Sequence, residues 1–216
     1  MTTGLADHLL DRMGAAALET NPWAHAYLPD ALPAGFASAL ADSFGAFGLT
    51  EFIEAERAKS YRLRTTEVYG PTASGPPTTC PLSALVDVVT SLSYRSSVSM
   101  LTGVDVGASP VTVDLWEYHD GDWLAPHVDK AEKVVTQIFY LTEGWAPDDG
   151  GRLLVLRSSS ARDVHRALTP MMGSSAVLVR SAHSWHAVEQ PGPGSPVRRS
   201  VTVTLWRGAG PAPRTV

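Results

Sequence analysis

The chain has 216 residues, of which 44% are hydrophobic and 18% are charged, and its net charge is −5. This composition is typical of a folded domain with a core and excludes a disordered chain. The acidic balance argues against a nucleic-acid partner, the single cysteine excludes a disulfide framework, and no apolar run is long enough to cross a membrane. The first residues do not resemble a signal peptide, so we expect a cytoplasmic protein. We also expect the protein to be a monomer or a homodimer.

The first half of the chain has helical periodicity. We predict helices over residues 3–17, 33–44 and 81–101, the first with Thr3 as a possible cap and the second with Pro33 in its first turn. Residues 61–79 are rich in Thr, Gly and Pro. They are predicted to form an irregular segment, either a lid over a site or an ordinary surface loop.

From residue 111 onward the hydrophobic period changes to two, which is typical of strands. The predicted strands cover residues 111–118, 134–141, 152–157, 175–180, 186–189 and 198–206. Because no helix separates most of them, the sheet is predicted to be antiparallel and to close as a sandwich or barrel. The fold class is therefore α+β, mainly β. We expect one domain over 1–216, with helical support and the lid loop in 1–110 and a catalytic core in 111–208.

The last predicted strand alternates, with Arg199 as the one exception. Its apolar positions are Val201, Val203 and Leu205, and the opposite face begins with Arg198 and Ser200. A polar face turned to solvent is the ordinary interpretation of such alternation. We instead expect the apolar face to lie under the helices and the polar face to line an interior pocket.

His127 and Asp129 are two residues apart, so on an extended segment their side chains point to the same side. One further histidine from another strand would complete a two-histidine, one-carboxylate triad, which is typical of non-haem Fe(II) oxygenases. His186 and His183 are the candidates, and strand context favours His186. The remaining histidines lack such context and are not expected to be ligands.

Arg198 and Ser200 supply a second functional pattern. An arginine that faces inward is costly unless it meets an anion, and its planar fork suits a carboxylate, to which Ser200 adds a hydroxyl donor. A surface salt bridge is the ordinary alternative for Arg198.

These motifs occur in a fixed order in the second half of the chain. They are His127-Val128-Asp129, then Gln137-Ile138-Phe139-Tyr140-Leu141, Gly150-Gly151, Pro170 and Gly173, His186-x-Val188, and Arg198-x-Ser200-x-Thr202. The ordered set over residues 118–206 resembles the prolyl 4-hydroxylase-like Fe(II)/2-oxoglutarate-dependent dioxygenases. The resemblance implies a double-stranded β-helix (jelly roll) with N-terminal helices packed on its major sheet.

The resemblance also implies the site. His127, Asp129 and His186 would bind Fe(II), and Arg198 would pair with the distal carboxylate of the co-substrate 2-oxoglutarate. Tyr140, Ser200 and Tyr118 would complete the co-substrate site, with Asp114 and Trp116 as weaker candidates. With O2 such enzymes hydroxylate an unactivated C–H bond and release succinate and CO2. A carboxylate at position 129 favours hydroxylation over halogenation.

The primary substrate is predicted less directly. A small amino-acid-like substrate, free, carrier-bound or peptidyl, would suit the charged residues that flank the expected pocket. These candidates are Arg62, Arg64, Arg152, Arg180, and the turn 143–149 with Trp145. The alternatives are a hydroxylase of prolyl or other residues in a protein, a non-catalytic metal-binding jelly-roll sensor, and a cupin-like isomerase or hydrolase.

Overall fold

The computed structural model describes residues 2–56, 59–73 and 81–210. Four α-helices lie in its first half: α1 (Thr2–Ala15), α2 (Ala34–Asp42), α3 (Pro81–Thr90) and α4 (Leu92–Thr102). The strands are β1 (His25–Leu28), β2 (Thr50–Glu54), β3 (Tyr61–Tyr69), β4 (Val111–Tyr118), β5 (Trp123–His127), β6 (Lys133–Tyr140), β7 (Leu153–Leu156), β8 (Val164–Leu168), β9 (Ser175–Val179), β10 (His186–Val188) and β11 (Arg198–Trp206). None of the described helices combines the length and apolar character needed to cross a membrane.

The strands form two antiparallel layers joined along one edge. The first layer has the order β1-β9-β6-β11-β4, and the second has the order β5-β10-β7-β8. Strand β3 connects them, because it pairs with β4 along most of its length and with β5 at Tyr61 and Arg62. This nearly closed arrangement agrees with the jelly roll that the family resemblance implied, and the mainly β fold class is confirmed.

The helices cover the outer face of the first layer. Leu9 of α1 and Leu85 of α3 belong to one fully buried apolar cluster with Val201, Val203 and Leu205 of β11. The predicted orientation of the last strand is therefore correct, since its apolar parity faces the helices. A second apolar cluster fills the space between the two layers.

The opposite parity of β11 faces that interior. Arg198 lies directly opposite Tyr118 on β4, and Ser200 lies directly opposite Tyr140 on β6. Directly opposed residues on neighbouring strands share a face, so these four side chains are brought together by strand register alone. Tyr118 and Tyr140 belong to the interior cluster.

The predicted helix over 81–101 is two helices in the structure. Ser91 separates α3 from α4, and its hydroxyl accepts a hydrogen bond from the backbone N–H of Tyr94 at 3.1 Å. A serine in this position satisfies an otherwise unpaired donor of the second helix and so begins it. The other two helices were predicted with longer bounds, and Pro33 precedes α2 instead of lying in its first turn.

The prediction of an irregular segment over residues 61–79 is wrong for residues 61–69, which form β3. The interior side of this strand includes Leu63, which alternates with Arg62 and Arg64 on the other side. Threonine suits strands, but the glycine and proline that follow it in residues 70–79 are typical of loops and hide the strand pattern. The strands β1, β2, β5 and β8 were also not predicted, since short strands carry little periodicity. Residues 74–79 of the predicted lid lie outside the described residues.

Candidate metal and anion site

Two neighbouring strands of the second layer bring the three predicted ligands together. His127 is the last residue of β5, and His186, the first residue of β10, lies directly opposite it. Asp129 follows two residues after His127, where the chain leaves the strand. All three residues are buried. Their juxtaposition therefore follows from strand pairing together with the short His-x-Asp spacing.

The ligand atoms of these residues converge on one point. Each carboxylate oxygen of Asp129 lies near one imidazole nitrogen: Oδ1 is 3.8 Å from His127 Nε2, and Oδ2 is 4.0 Å from His186 Nε2. The centroids of the two imidazole rings are 4.3 Å apart. All three ligand atoms lie within 4.8 Å of one another, which is compatible with a single metal ion between them.

Backbone carbonyls orient both imidazoles. His127 Nδ1 lies 2.9 Å from the carbonyl oxygen of Ala125, and His186 Nδ1 lies 2.9 Å from that of Ser184. Each Nδ1 therefore carries the proton and donates it, which leaves the Nε2 lone pair directed toward the other ligands. Trp23 packs beside His186 with ring centroids 6.2 Å apart, and its indole N–H donates to the carbonyl oxygen of Leu156.

The protonation states favour metal binding. Burial lowers the pKa of His127, and burial together with the neighbouring His127 lowers the pKa of His186 to about 3. Burial alone would raise the pKa of Asp129, but Lys133 and the two histidines outweigh it and hold that pKa well below its usual range. At neutral pH the site thus presents two neutral imidazoles and one carboxylate, the forms that bind divalent metals.

The sequence analysis missed a lysine in contact with this group. Lys133 Nζ lies 2.9 Å from Asp129 Oδ1, and the Thr136 hydroxyl lies 3.4 Å from Asp129 Oδ2. Lys133 is four residues after Asp129, a spacing with no special meaning outside a helix. His183, the rejected candidate, is exposed, and the structure brings His186 instead to the other two ligands.

Arg198 occupies the interior of the jelly roll on the first layer. Its side chain is only 2% exposed, and its Cζ lies 5.1 Å from the ring centroid of Tyr118 and 5.0 Å from that of Tyr140. Its Nε donates to the carbonyl oxygen of Gly151 at 2.7 Å. The guanidinium is thus held between two aromatic rings, and one of its edges is fixed by the backbone.

Gly151 permits this contact. It has φ +59°, and a Cβ atom there would lie 2.5 Å from the ring of Trp145 and 3.3 Å from Arg198 Cδ. Any larger residue would be strained in its backbone and would displace the aromatic ring. The Gly150-Gly151 turn therefore allows Trp145 and Arg198 to pack against the backbone.

Two buried donors beside this guanidinium are unsatisfied. Among the described residues, neither Arg198 Nη2 nor the Tyr140 hydroxyl has a hydrogen-bond partner. Burial raises the pKa of Tyr140 to about 12, although Arg198 lowers it, so the phenol remains a donor. A buried cation with a free donor beside a free hydroxyl fits a carboxylate, because leaving both unpaired is costly. Ser200 is buried next to them.

Most of the arginines proposed as substrate contacts are engaged elsewhere. Arg62 and Arg64 both form salt bridges with Asp122 and Glu51. Arg152 forms two hydrogen bonds with the carboxylate of Glu189. Of the proposed arginines, only Arg180 approaches the triad, with Nε 3.4 Å from the backbone carbonyl of Asp129.

The fold and this site together define a class of protein. The two-histidine, one-carboxylate set leaves open positions on a metal ion, which is characteristic of non-haem Fe(II) oxygenases. The donor set fits Fe(II), and the unsatisfied Arg198 and Tyr140 fit the distal carboxylate of 2-oxoglutarate.

Comparison with known proteins supports this class. Residues 113–207 match the family model described as "2OG-Fe(II) oxygenase superfamily". No curated protein matches the sequence. A prolyl-4-hydroxylase from Pseudomonas putida is 21% identical, with a TM-score of 0.63 over 95% of this chain and 100% of that chain.

Two further solved structures share the fold. A prolyl hydroxylase from Trichoplax adhaerens, solved with a hypoxia inducible factor peptide, is 14% identical, with a TM-score of 0.63 over 95% of this chain and 90% of that one. A 2OG-Fe(II) oxygenase family oxidoreductase from Burkholderia pseudomallei is 13% identical, with a TM-score of 0.65 over 97% and 92% of the two chains. Residues 113–207 are therefore similar to the 2OG-Fe(II) oxygenase superfamily, and the chain as a whole has a prolyl 4-hydroxylase-like fold. The cofactors that this similarity implies are Fe(II), 2-oxoglutarate and O2.

Proposed function

We propose that this oxygenase hydroxylates an unactivated C–H bond of a small amino-acid-like substrate, free, carrier-bound or peptidyl, and releases succinate and CO2. The observation that carries the catalytic part of this proposal is the buried Arg198: its Nη2 and the neighbouring Tyr140 hydroxyl both lack a hydrogen-bond partner among the described residues, which suits a bound co-substrate carboxylate. A protein that only stores or senses a metal has no need of a co-substrate clamp, so this pair favours catalysis over the sensor alternative.

Each residue group has a distinct task in this proposal. His127, Asp129 and His186 hold the metal, with their donor atoms fixed by the carbonyl contacts described above. Arg198, Tyr140 and Ser200 hold the distal carboxylate of 2-oxoglutarate, and Tyr118 stacks on the guanidinium. When bound, Fe(II) with 2-oxoglutarate and O2 supplies the oxidant for the C–H bond.

The carboxylate at Asp129 supports hydroxylation as the outcome. It occupies the position that a halide needs in related halogenases, so no anionic co-ligand has to be recruited. The apolar interior cluster, which includes Leu153, Val155 and Leu178, limits the water that reaches the oxidant. Single-domain organisation, a monomeric or homodimeric state and a cytoplasmic location stay predictions.

The test is a coupled turnover assay. Protein reconstituted with Fe(II) is incubated in air with 2-oxoglutarate and a panel of amino acids, and succinate and oxygenated product are measured together. We expect succinate in step with a product that has gained one oxygen atom. Oxygenation of a prolyl peptide but of no amino acid would select the protein-hydroxylase alternative. Metal and 2-oxoglutarate binding without succinate would select the sensor, and turnover without O2 would select the isomerase or hydrolase.

A further inference from the structure

The lysines of this chain are few and are not scattered. The chain has 17 lysine and arginine residues, and only three of them are lysines: Lys59, Lys130 and Lys133. They lie on two segments that are more than 70 positions apart in sequence. In the structure Lys130, Lys133 and Asp129 all lie close enough to Lys59 to act on it electrostatically.

Strand pairing explains why Lys59 lies near the end of β5 that carries the metal ligand His127. The carbonyl oxygen of Ser60 accepts a hydrogen bond from the backbone N–H of Ala125 at 2.9 Å, and its hydroxyl accepts one from Trp123 Nε1 at 3.2 Å. The chain runs antiparallel to β5 here, with Tyr61 opposite Leu124. One residue earlier, Lys59 therefore lies beside the end of β5, where His127 is located.

The other two lysines are close to Asp129 in sequence. Lys130 follows it directly, and Lys133 pairs with its carboxylate at 2.9 Å. Lys133 already compensates this carboxylate, which leaves Lys59 and Lys130 as further cations near it. Within the described part of the chain, neither Lys59 nor Lys130 forms a salt bridge.

Beside Asp129 the three lysines outnumber the one carboxylate that they surround. Desolvation by the surrounding protein, and then the positive charge of Lys133, lower the pKa of Lys59 to about 8; Lys130 adds to this effect and Asp129 opposes it. Loading the site does not remove the excess, because the two charges of Fe(II) and the two of 2-oxoglutarate cancel. Positive charge collected beside the metal ligands, in a chain with a net charge of −5, attracts anions to that place.

We propose that the primary substrate carries an anionic group, a carboxylate or a phosphate, which Lys59 and Lys130 bind at the mouth of the site. This inference rests on the proposed function, since it assigns the substrate class of the same site. Lys59 lies on the segment before β3, which pairs with β5, and Lys130 lies on the segment after β5, so the two lysines come from opposite sides of the strand end that carries His127. A substrate group held there places its remaining atoms toward the triad.

Binding of matched acid and neutral probes tests the proposal. The protein is loaded with Mn(II) in place of Fe(II) and with 2-oxoglutarate, and affinity is read from the paramagnetic broadening of the probe's NMR signals. The carboxylate pair is N-acetylalanine and N-acetylalanine amide, and the phosphate pair is phosphoserine and serine. We expect the acid of at least one pair to bind about tenfold more tightly than its neutral partner. The pair that shows the preference identifies the anion.

Variants locate the preference. In the double variant Lys59→Gln with Lys130→Gln the preference should fall about tenfold, and in the charge-conserving Lys59→Arg with Lys130→Arg it should be retained. Arg12→Gln, which removes a cation from the exposed face of α1, serves as a control and should retain it. No preference for the acid in either pair, or an unchanged preference in the glutamine variant, overturns the proposal.

Failure of the proposed function has a different signature. Titration of the Mn(II) protein with 2-oxoglutarate alone shows whether the co-substrate binds, and it uses none of the probes. If the wild type does not bind 2-oxoglutarate, the proposed function is contradicted. If it binds 2-oxoglutarate but binds acid and neutral probes equally well, only the proposed role of Lys59 and Lys130 is contradicted.

Discussion

The two layers of the jelly roll contribute different kinds of binding group to the same interior. The second layer supplies the two histidines of the triad, and both of their Nδ1 atoms donate to backbone carbonyl oxygens. The third member, the carboxylate of Asp129, has Lys133 as its partner. The first layer supplies Arg198, which is buried between two aromatic rings and retains a free Nη2.

The difference shows which of the two groups already has its hydrogen-bond partners before any ligand binds. The metal-ligand end is already oriented by the protein, so ligand binding there requires little rearrangement. The Arg198 end holds a buried charge without a carboxylate partner among the described residues, so its stabilisation depends on the co-substrate. Substitution of a metal ligand should therefore abolish turnover, whereas substitution of Arg198 should mainly weaken co-substrate binding.

The largest effect is expected from Asp129→Ala. It removes the only anionic ligand, and we expect turnover to fall at least about 100-fold together with metal affinity. Metal titration and succinate release measure both quantities. Asp163→Ala removes an exposed carboxylate from the turn between β7 and β8 and is the control, with circular dichroism to check folding. Wild-type metal affinity in the Asp129 variant would contradict the assignment.

Arg198→Ala is expected to act on the co-substrate end alone. Losing a buried charge-assisted pair costs about 2–5 kcal/mol, so the KM for 2-oxoglutarate should rise about 30-fold or more while metal affinity is kept. The thermal stabilisation that 2-oxoglutarate confers should disappear as well. Arg199→Ala, on the opposite face of β11, is the matched control and should change KM about twofold or less. A normal KM in the Arg198 variant would place the clamp elsewhere.

Tyr140→Phe sharpens the same comparison with a smaller change. It removes one hydroxyl that has no partner in the described structure, so the protein without ligands should be as stable as the wild type. The KM for 2-oxoglutarate should rise about tenfold, because a hydrogen bond to a charged group is worth about 1.5–3 kcal/mol. Steady-state kinetics and thermal unfolding measure the two quantities, and an unchanged KM would make Tyr140 an ordinary core aromatic.

The smallest effect concerns pH and the metal-ligand end. Because burial lowers the pKa of both histidines, protons do not compete for them until the pH falls toward those lowered values. Co(II) affinity should therefore change about twofold or less between about pH 7.5 and about pH 6, whereas two ordinary histidines would lose about tenfold. Calorimetric titration at both values decides, and a tenfold loss would show that the imidazoles titrate normally.

The candidate site was predictable wherever a residue type with a known binding chemistry stands at a position whose direction follows from the local sequence pattern. His127 and Asp129 share a side because of their spacing, and the alternation of β11 separates Arg198 from Val201 without any knowledge of the partner strands. The choice of His186 over His183 needed only strand context. The roles of these residues stay predictions until the variants are measured.

Other features depended on partners that are distant in sequence. Residues 61–69 look irregular on their own, and they form a strand because β2 and β4 pair with both edges. Arg62 and Arg64 were expected at the substrate, but the buried Asp122 engages them. Lys59 has no local signal, and only the pairing of its segment with β5 places it near Asp129.

The sequence by itself determined the mainly β, antiparallel class, the ligand types and the faces of the last strand, because side-chain period and residue chemistry are local properties. Only the tertiary structure decided which charged side chains are neutralised and which remain available to a ligand. The reason is that electrostatic compensation depends on distances between strands, and no spacing along the chain records them.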